Sequence, residues 1–303
     1  MPAALQTVAR DQRRWSLTAN SLKSQINWAR GCILVLAVAG ALLETLAAQL
    51  HPTKSYTPAK IIGYIGAVGL ASIAVIRAQY LPQSRMQAWL VGRSVSEALK
   101  RELYRYRTST GPYRAENRDQ ILIDRRDAII EKARSLQGFA VEPGEAVTSD
   151  LPPLDPDGYI QSRLDSQVKW YRERAATYST RQSAFAAVQF ILALVSAGIG
   201  AIAVSMNDRS PAAWVAVTTT MLSALGSYLL AQRYEQLIIT YRATAERLES
   251  IRVRWSSFEE LVEQCESALT QENQGWMTSG DETGAKPNQE PEKMVPAKKT
   301  SPH

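Results

Sequence analysis

Four stretches of the chain, residues 31–50, 61–81, 182–207 and 210–232, are almost continuously apolar. Together they hold 90 residues and only two charged side chains, Glu44 and Arg77. At about 1.5 Å rise per residue, each is long enough to cross roughly 30 Å of hydrocarbon as a helix. Outside these stretches the apolar positions recur every three to four residues, the period of a helix with one buried face. Trp15, Ala19, Leu22 and Ile26 lead into the first span, and Val91, Val95, Leu99, Leu103 and Tyr106 leave the second. A further short helix is expected over 121–136. Ile160, Leu164, Val168, Tyr171, Ala175 and Tyr178 approach the third span, while Tyr241, Ala245, Leu248, Ile251, Trp255 and Phe258 leave the fourth.

Between Gly138 and Gly158 the pattern breaks, because Pro143, Pro152, Pro153 and Pro156 stand among acidic residues and glycines. The reading is therefore an all-α membrane protein, with four transmembrane helices as two tandem helical hairpins, each flanked by amphipathic cytoplasmic helices. Residues 1–140 form a first two-span unit, 141–158 a linker rich in Pro, Gly and Asp, and 159–268 a second two-span unit. A disordered tail is expected over 269–303, on its Lys, Glu, Pro, Gln and Gly content. Each unit has the same order of helix, membrane hairpin and returning helix, which reads as a duplication. Arg93, Glu97, Leu99, Arg105 and Tyr106 align with Arg242, Glu246, Leu248, Arg254 and Trp255 at a constant offset. Arg93 with Glu97, and Arg242 with Glu246, are candidate repeat-equivalent ion pairs, a spacing that ordinary surface pairs share.

Charge gives the orientation. Five basic residues precede the first span, seventeen lie in 82–181 and nine follow 232, whereas the two hairpin loops hold only Lys54, Lys60 and Arg209. Basic flanks stay on the cytoplasmic side, so both termini and the central region are expected in the cytoplasm of a multi-pass protein of the bacterial inner (plasma) membrane. The net charge of +6 then answers to anionic lipid, and nucleic acid is not an expected partner. A cleaved leader is a competing reading of 31–50, with Ala47 and Ala48 near a conceivable cleavage point. Thirty residues ahead of the apolar run are more than a secretory leader carries.

Chemistry is sparse. Cys32 and Cys265 are far apart in the chain, and His51 and His303 are the two histidines. No metal site, cofactor or enzyme activity is expected from them. Acidic pairs such as Asp124 with Asp127 and Asp155 with Asp157 read as solvated surface. Gly63, Ala67, Ala71, Ala74 and Ala78 share one face of the second span, and Ala193, Ala197 and Ala201 one face of the third. Small faces let helices approach closely in lipid, either within a chain or between subunits. Glu44 is a candidate pore-facing or bundle-facing residue, since a carboxylate inside a span costs roughly 2.5 kcal/mol or more unless it faces protein or water. It also lies near enough to the outer end to reach the interface. Thr220, Ser223 and Ser227 share a face of the fourth span, where hydroxyls either line a wet path or bond back to their own helix.

The run Tyr159-Ile-Gln-Ser-Arg163-Leu-Asp-Ser-Gln167-Val-Lys-Trp170-Tyr171, followed by Arg174-Ala175 and a hairpin, resembles the opening of SLATT domains, as does Arg125-Arg126-Asp127-Ala-Ile-Ile-Glu131 before it. The chain is similar to a tandem SLATT protein over about residues 10–265. The resemblance implies a bacterial two-span membrane effector that accompanies SMODS nucleotidyltransferases or SLOG nucleotide-binding domains. Such effectors are proposed to open pores in response to a nucleotide signal. It brings no catalytic or binding residues with it. A nucleotide-sensing or nucleotide-synthesising protein would be a separate partner, or the cytoplasmic helices would sense. The expected partners are thus the lipid bilayer, further copies in a homo-oligomer, and such a protein. An alternative is a membrane-anchored scaffold whose cytoplasmic helices bind partner proteins without any pore.

Overall fold

The computed structural model describes residues 2–50, 56–144, 151–205 and 210–281, and every regular element among them is helical. Helix α1 runs without a break from Ala3 to Leu50. No proline interrupts it and its two glycines, Gly31 and Gly40, do not stop it, so the polar first half and the apolar second half form one rod of about 72 Å. Helix α2 (Tyr56–Tyr80) returns along α1 and stops at Leu81-Pro82. Pro82 lacks a backbone donor and pushes the residue before it out of the helical region. Helix α3 (Gln83–Arg107) then leaves on the other side of that break. Helix α4 (Arg118–Glu131) completes the first unit, followed by a 3-10 turn over Arg134–Phe139.

The second unit opens with the short helix α5 (Pro156–Tyr159), started by Asp155, whose carboxylate accepts a hydrogen bond from the Gly158 amide at 2.8 Å. A π-helical turn over Ile160–Asp165 leads directly into α6 (Ser166–Ser205). Helix α7 (Ser210–Gln232) returns beside it, and α8 (Tyr234–Arg254) follows after Arg233, which sits in the left-handed region at φ 50°. Trp255 ends α8 in an extended conformation, and α9 (Phe258–Asp281) begins. The Glu260 amide donates to Ser257 Oγ at 3.2 Å while its carboxylate accepts from the Ser256 amide at 3.0 Å, a reciprocal cap.

Helix α9 departs from the sequence reading, which begins a disordered tail at 269. The helix continues to Asp281, with Leu261, Val262, Cys265, Ala268 and Leu269 buried against α6 and α8. Those residues recur at three and four from Phe258, so burial of that face stabilises a helix that the polar composition of the segment conceals. Residues 282–303, together with His51, Lys54 and Arg209, lie outside the described residues.

Four helices, one within each of Ala3–Leu50, Thr57–Tyr80, Pro156–Ser205 and Pro211–Arg254, are long and apolar enough to cross a membrane. Their main contacts join α2 to α1, α1 to α7, and α7 to α6. The spans therefore form a row, α2-α1-α7-α6. Beyond one end of that row the helical extensions pack into a collar with two apolar cores. Trp15, Val95, Leu99, Tyr113 and Leu122 lie in the first, and Tyr159, Leu164, Tyr241, Leu248 and Leu261 in the second. Because α3 of the first unit packs on α9 of the second, both hairpins emerge from the same side of one collar.

Candidate functional site

The two hairpins of the row are built differently. Between α1 and α2 the helices approach through glycine. An added Cβ at Gly40 would lie 2.6 Å from Leu70, and one at Gly66 would lie 3.1 Å from the Glu44 carboxylate. Leu70 thus fills the notch left by Gly40, and Glu44 is half-buried against α2. Between α6 and α7 the clearance is larger, with 4.0 Å from a Cβ at Gly200 to Val215 and 3.8 Å from one at Gly226 to Gln189.

The small-residue faces point elsewhere. Ala67, Ala71, Ala74 and Ala78 of α2 are exposed, as are Ala193, Ala197 and Ala201 of α6, on the two outer helices of the row. Gly63 alone of these turns toward α1, 3.4 Å from Ala47. Thr220, Ser223 and Ser227 are likewise exposed on α7, and the Thr220 hydroxyl donates to the Ala216 carbonyl at 2.9 Å. Glu44 and this hydroxyl face are half-buried and exposed, respectively, and Glu44 packs on the opposite neighbour of α1 from α7. Arg77 is exposed on α2.

The repeat-equivalent ion pairs are not equivalent in space. Arg93 pairs with Glu272 of α9 at 3.2 Å, while Glu97 is half-buried one turn away. Arg242 and Glu246 are both exposed on α8. Sequence spacing suggested a bond along each helix, whereas the ion pair seen at Arg93 reaches across to a buried carboxylate of α9.

Charge is instead organised between the units. Arg93 and Arg105 of α3, and Arg114 in the 3-10 turn Gly111–Arg114 after it, meet Glu272, Glu263 and Glu259 of the second unit in antiparallel order along α9. Arg101 also donates to Thr270 at 3.4 Å. Above this clasp, Tyr104 of α3 lies 6.0 Å from the Tyr159 ring and 4.6 Å from the Arg163 guanidinium. Arg163 is held in a bidentate pair with Glu266 at 2.8 and 2.9 Å, and the Tyr159 hydroxyl donates to the same carboxylate at 3.0 Å. All three are almost fully buried. Burial raises the Tyr159 hydroxyl well above its usual range and pushes the neighbouring Cys265 thiol up to about 12, so that thiol is not a nucleophile.

Residues 159–276 match the family model described as SMODS and SLOG-associating 2TM effector domain 1. That stretch is similar to SLATT domains. Residues 13–120 match a second model, described as a protein of unknown function (DUF4231). No curated protein and no solved structure matches the chain. The SLATT match begins at Tyr159, the aromatic end of the buried Tyr159–Glu266–Arg163 cluster, and runs through most of α9. With its apolar helices it makes the chain a membrane protein. Arg163, Tyr159 and Trp170, on which the resemblance to SLATT domains was read, divide by role. The first two are core, and Trp170 meets Tyr171 edge-to-face at 5.0 Å and Tyr241 at a tilt at 5.4 Å.

Proposed function

We propose that the chain is a membrane effector of a bacterial nucleotide-signalled conflict system, without enzymatic activity of its own, in which several copies assemble and open a permeable path on activation. The collar faces the cytoplasm, where its basic residues are retained. The observation that carries this reading is the row of spans. Four helices in line, α2-α1-α7-α6, enclose nothing by themselves, and both end helices present alanine faces outward. Small faces favour close helix packing in lipid, so the α2 edge of one copy fits the α6 edge of the next. Such a head-to-tail contact uses two different surfaces and closes into a ring. The exposed hydroxyls of Thr220, Ser223 and Ser227 then line the row on one side, where water or another subunit offers polar partners that acyl chains do not.

The test is ion and dye leakage from expressing cells, uninfected and phage-infected, and from liposomes loaded with the full chain. Leak is expected, with Ala71→Trp or Ala197→Trp abolishing it while helix content and melting stay unchanged. Retention of dye and potassium under all these conditions overturns the reading. A scaffold reading is favoured by Ile239 and Val253, which are large, apolar and exposed on the collar helix α8. It is separated by measuring leak after Ile239→Ser with Val253→Ser: a pore keeps leaking, whereas a scaffold loses its activity with the spans intact.

A further inference from the structure

Where the four spans meet the collar, every one of them delivers a residue to one cavity of about 640 Å3. Arg30 precedes the apolar part of α1, Leu81 follows α2, Arg181 precedes the apolar part of α6, and Arg233 follows α7. Lys23 and Arg93 bring the cationic side chains in its wall to five, and no carboxylate stands among the described lining residues. Aromatic rings, including Trp89, Tyr178 and Tyr228, fill much of the remaining wall.

Elsewhere this fold answers buried and half-buried arginines with carboxylates. Arg163 has Glu266, Arg126 has Asp11, and Arg101 and Arg125 share Glu102. In the cavity, Glu272 reaches Arg93 from behind the wall, whereas neither Lys23 nor Arg30 forms an ion pair with a carboxylate among the described residues. Holding several like charges around one partly dehydrated space is unfavourable unless an anion completes it. Arginine forks suit the oxygens of a phosphoryl group, and the volume lies in the range of small-ligand sites.

We propose that this cavity binds a phosphoryl anion, contributed either by a lipid headgroup or by a soluble phosphate compound, and that the bound anion ties the two units together at the membrane surface. The site touches α1 and α3 on one side and α6, α7 and α8 on the other. Its occupancy therefore changes the relative stability of arrangements in which the two hairpins part or stay together. The site does not depend on whether a pore forms, and binding is measured separately from leak.

Lys23 supplies an independent readout. Burial holds its ammonium down to about 8, helped by Arg93 and Arg174 and opposed by Glu272. A bound anion favours the charged form, so binding takes up a proton near that pH and weakens as pH rises past it.

The experiment uses the full chain, stripped of lipid and placed in phosphatidylcholine nanodiscs. One arm titrates inorganic pyrophosphate, and the other incorporates phosphatidylglycerol and counts the lipid retained per chain. Saturable binding of pyrophosphate assigns a soluble ligand, and selective retention of phosphatidylglycerol assigns a headgroup. Either supports the site if Lys23→Gln and Arg30→Gln each weaken binding roughly tenfold or more. Arg77→Gln, a cation exposed on α2 outside the cavity, is expected to bind as the parent does. Lys23→Arg is expected to keep binding at pH 9, where the parent weakens. Absence of saturable binding in both arms, or binding that Arg77→Gln weakens as much as Arg30→Gln does, overturns the proposal.

Discussion

Each unit buries a glutamate under a tyrosine and beside arginine, but only one of them seals the arginine in as well. In the first unit, Glu102 accepts from the Tyr113 hydroxyl at 2.6 Å and pairs with Arg101 and Arg125 at 3.1 and 3.3 Å. Those two arginine side chains remain 31% and 41% exposed. In the second unit, Glu266 meets an Arg163 side chain only 2% exposed. Water can rescue the arginines of the first cluster when Glu102 is lost, yet it cannot reach Arg163 in the second. The lesson is that the same set of residue types leaves the cations partly hydrated around a buried carboxylate in one unit and makes an all-or-none core pair in the other. The hairpins invert that order, since the glycine-notched contact belongs to the first unit and the looser one to the second.

The largest effect is expected at the sealed pair. Glu266→Gln leaves Arg163 buried and uncompensated and should cost about 3–5 kcal/mol, read as a large fall in the melting temperature of the purified protein. Replacing both, as Arg163→Met with Glu266→Leu, should recover much of that loss, because the desolvation penalty goes with the charges. Glu102→Gln should cost less, about 1–3 kcal/mol, since Arg101 and Arg125 then turn to water. Equal losses for Glu102→Gln and Glu266→Gln would erase the distinction between the units.

Next comes the hairpin contrast. Gly40→Ala places a methyl against Leu70 and should destabilise by about 1–3 kcal/mol, the usual range for overpacking. Gly200→Ala meets only ordinary contact distance and should be neutral or stabilising by up to about 1 kcal/mol through helix propensity. The smallest effect is expected in the clasp at Arg105, whose partner Glu263 is largely exposed. Arg105→Gln should cost only about 0.2–1 kcal/mol, and less in high salt. A salt-independent loss of several kcal/mol there would mean that the clasp, and not the two apolar cores, holds the units together.

The fold was legible wherever one physical signal ran for many residues. Charge-free stretches of span length mark the apolar parts of α1, α2, α6 and α7, and the stripe Val95, Leu99, Leu103, Tyr106 is buried as its period implies. The break before α3 was written in Pro82, but the matching break before α8 falls on Arg233, whose left-handed backbone no residue preference announces. Helix α9 was hidden by its polar exterior, although the apolar spacing from Phe258 to Leu269 and the Ser257-x-x-Glu260 cap were present. The cavity was not legible at all. Its cations lie at positions 23, 30, 93, 181 and 233, and only the packing of two hairpins into one collar brings them together. In the sequence Arg30 and Arg181 count singly among the basic flanks that set orientation. The alanine stripes were seen in the sequence, but whether they face inward or outward depends on which flank of α2 and α6 the row occupies.

Assembly through the two ends of the row is tested most directly by cysteine cross-linking in native membranes. In a Cys32→Ser background, Ala47→Cys with Gly63→Cys is the internal control, since those positions bring Cβ atoms to 3.4 Å between α1 and α2. Ala71→Cys with Ala197→Cys should yield a ladder of covalent multimers beyond the dimer, while either substitution alone should not. Efficient closure of the internal control with the Ala71→Cys, Ala197→Cys protein remaining monomeric would contradict the account.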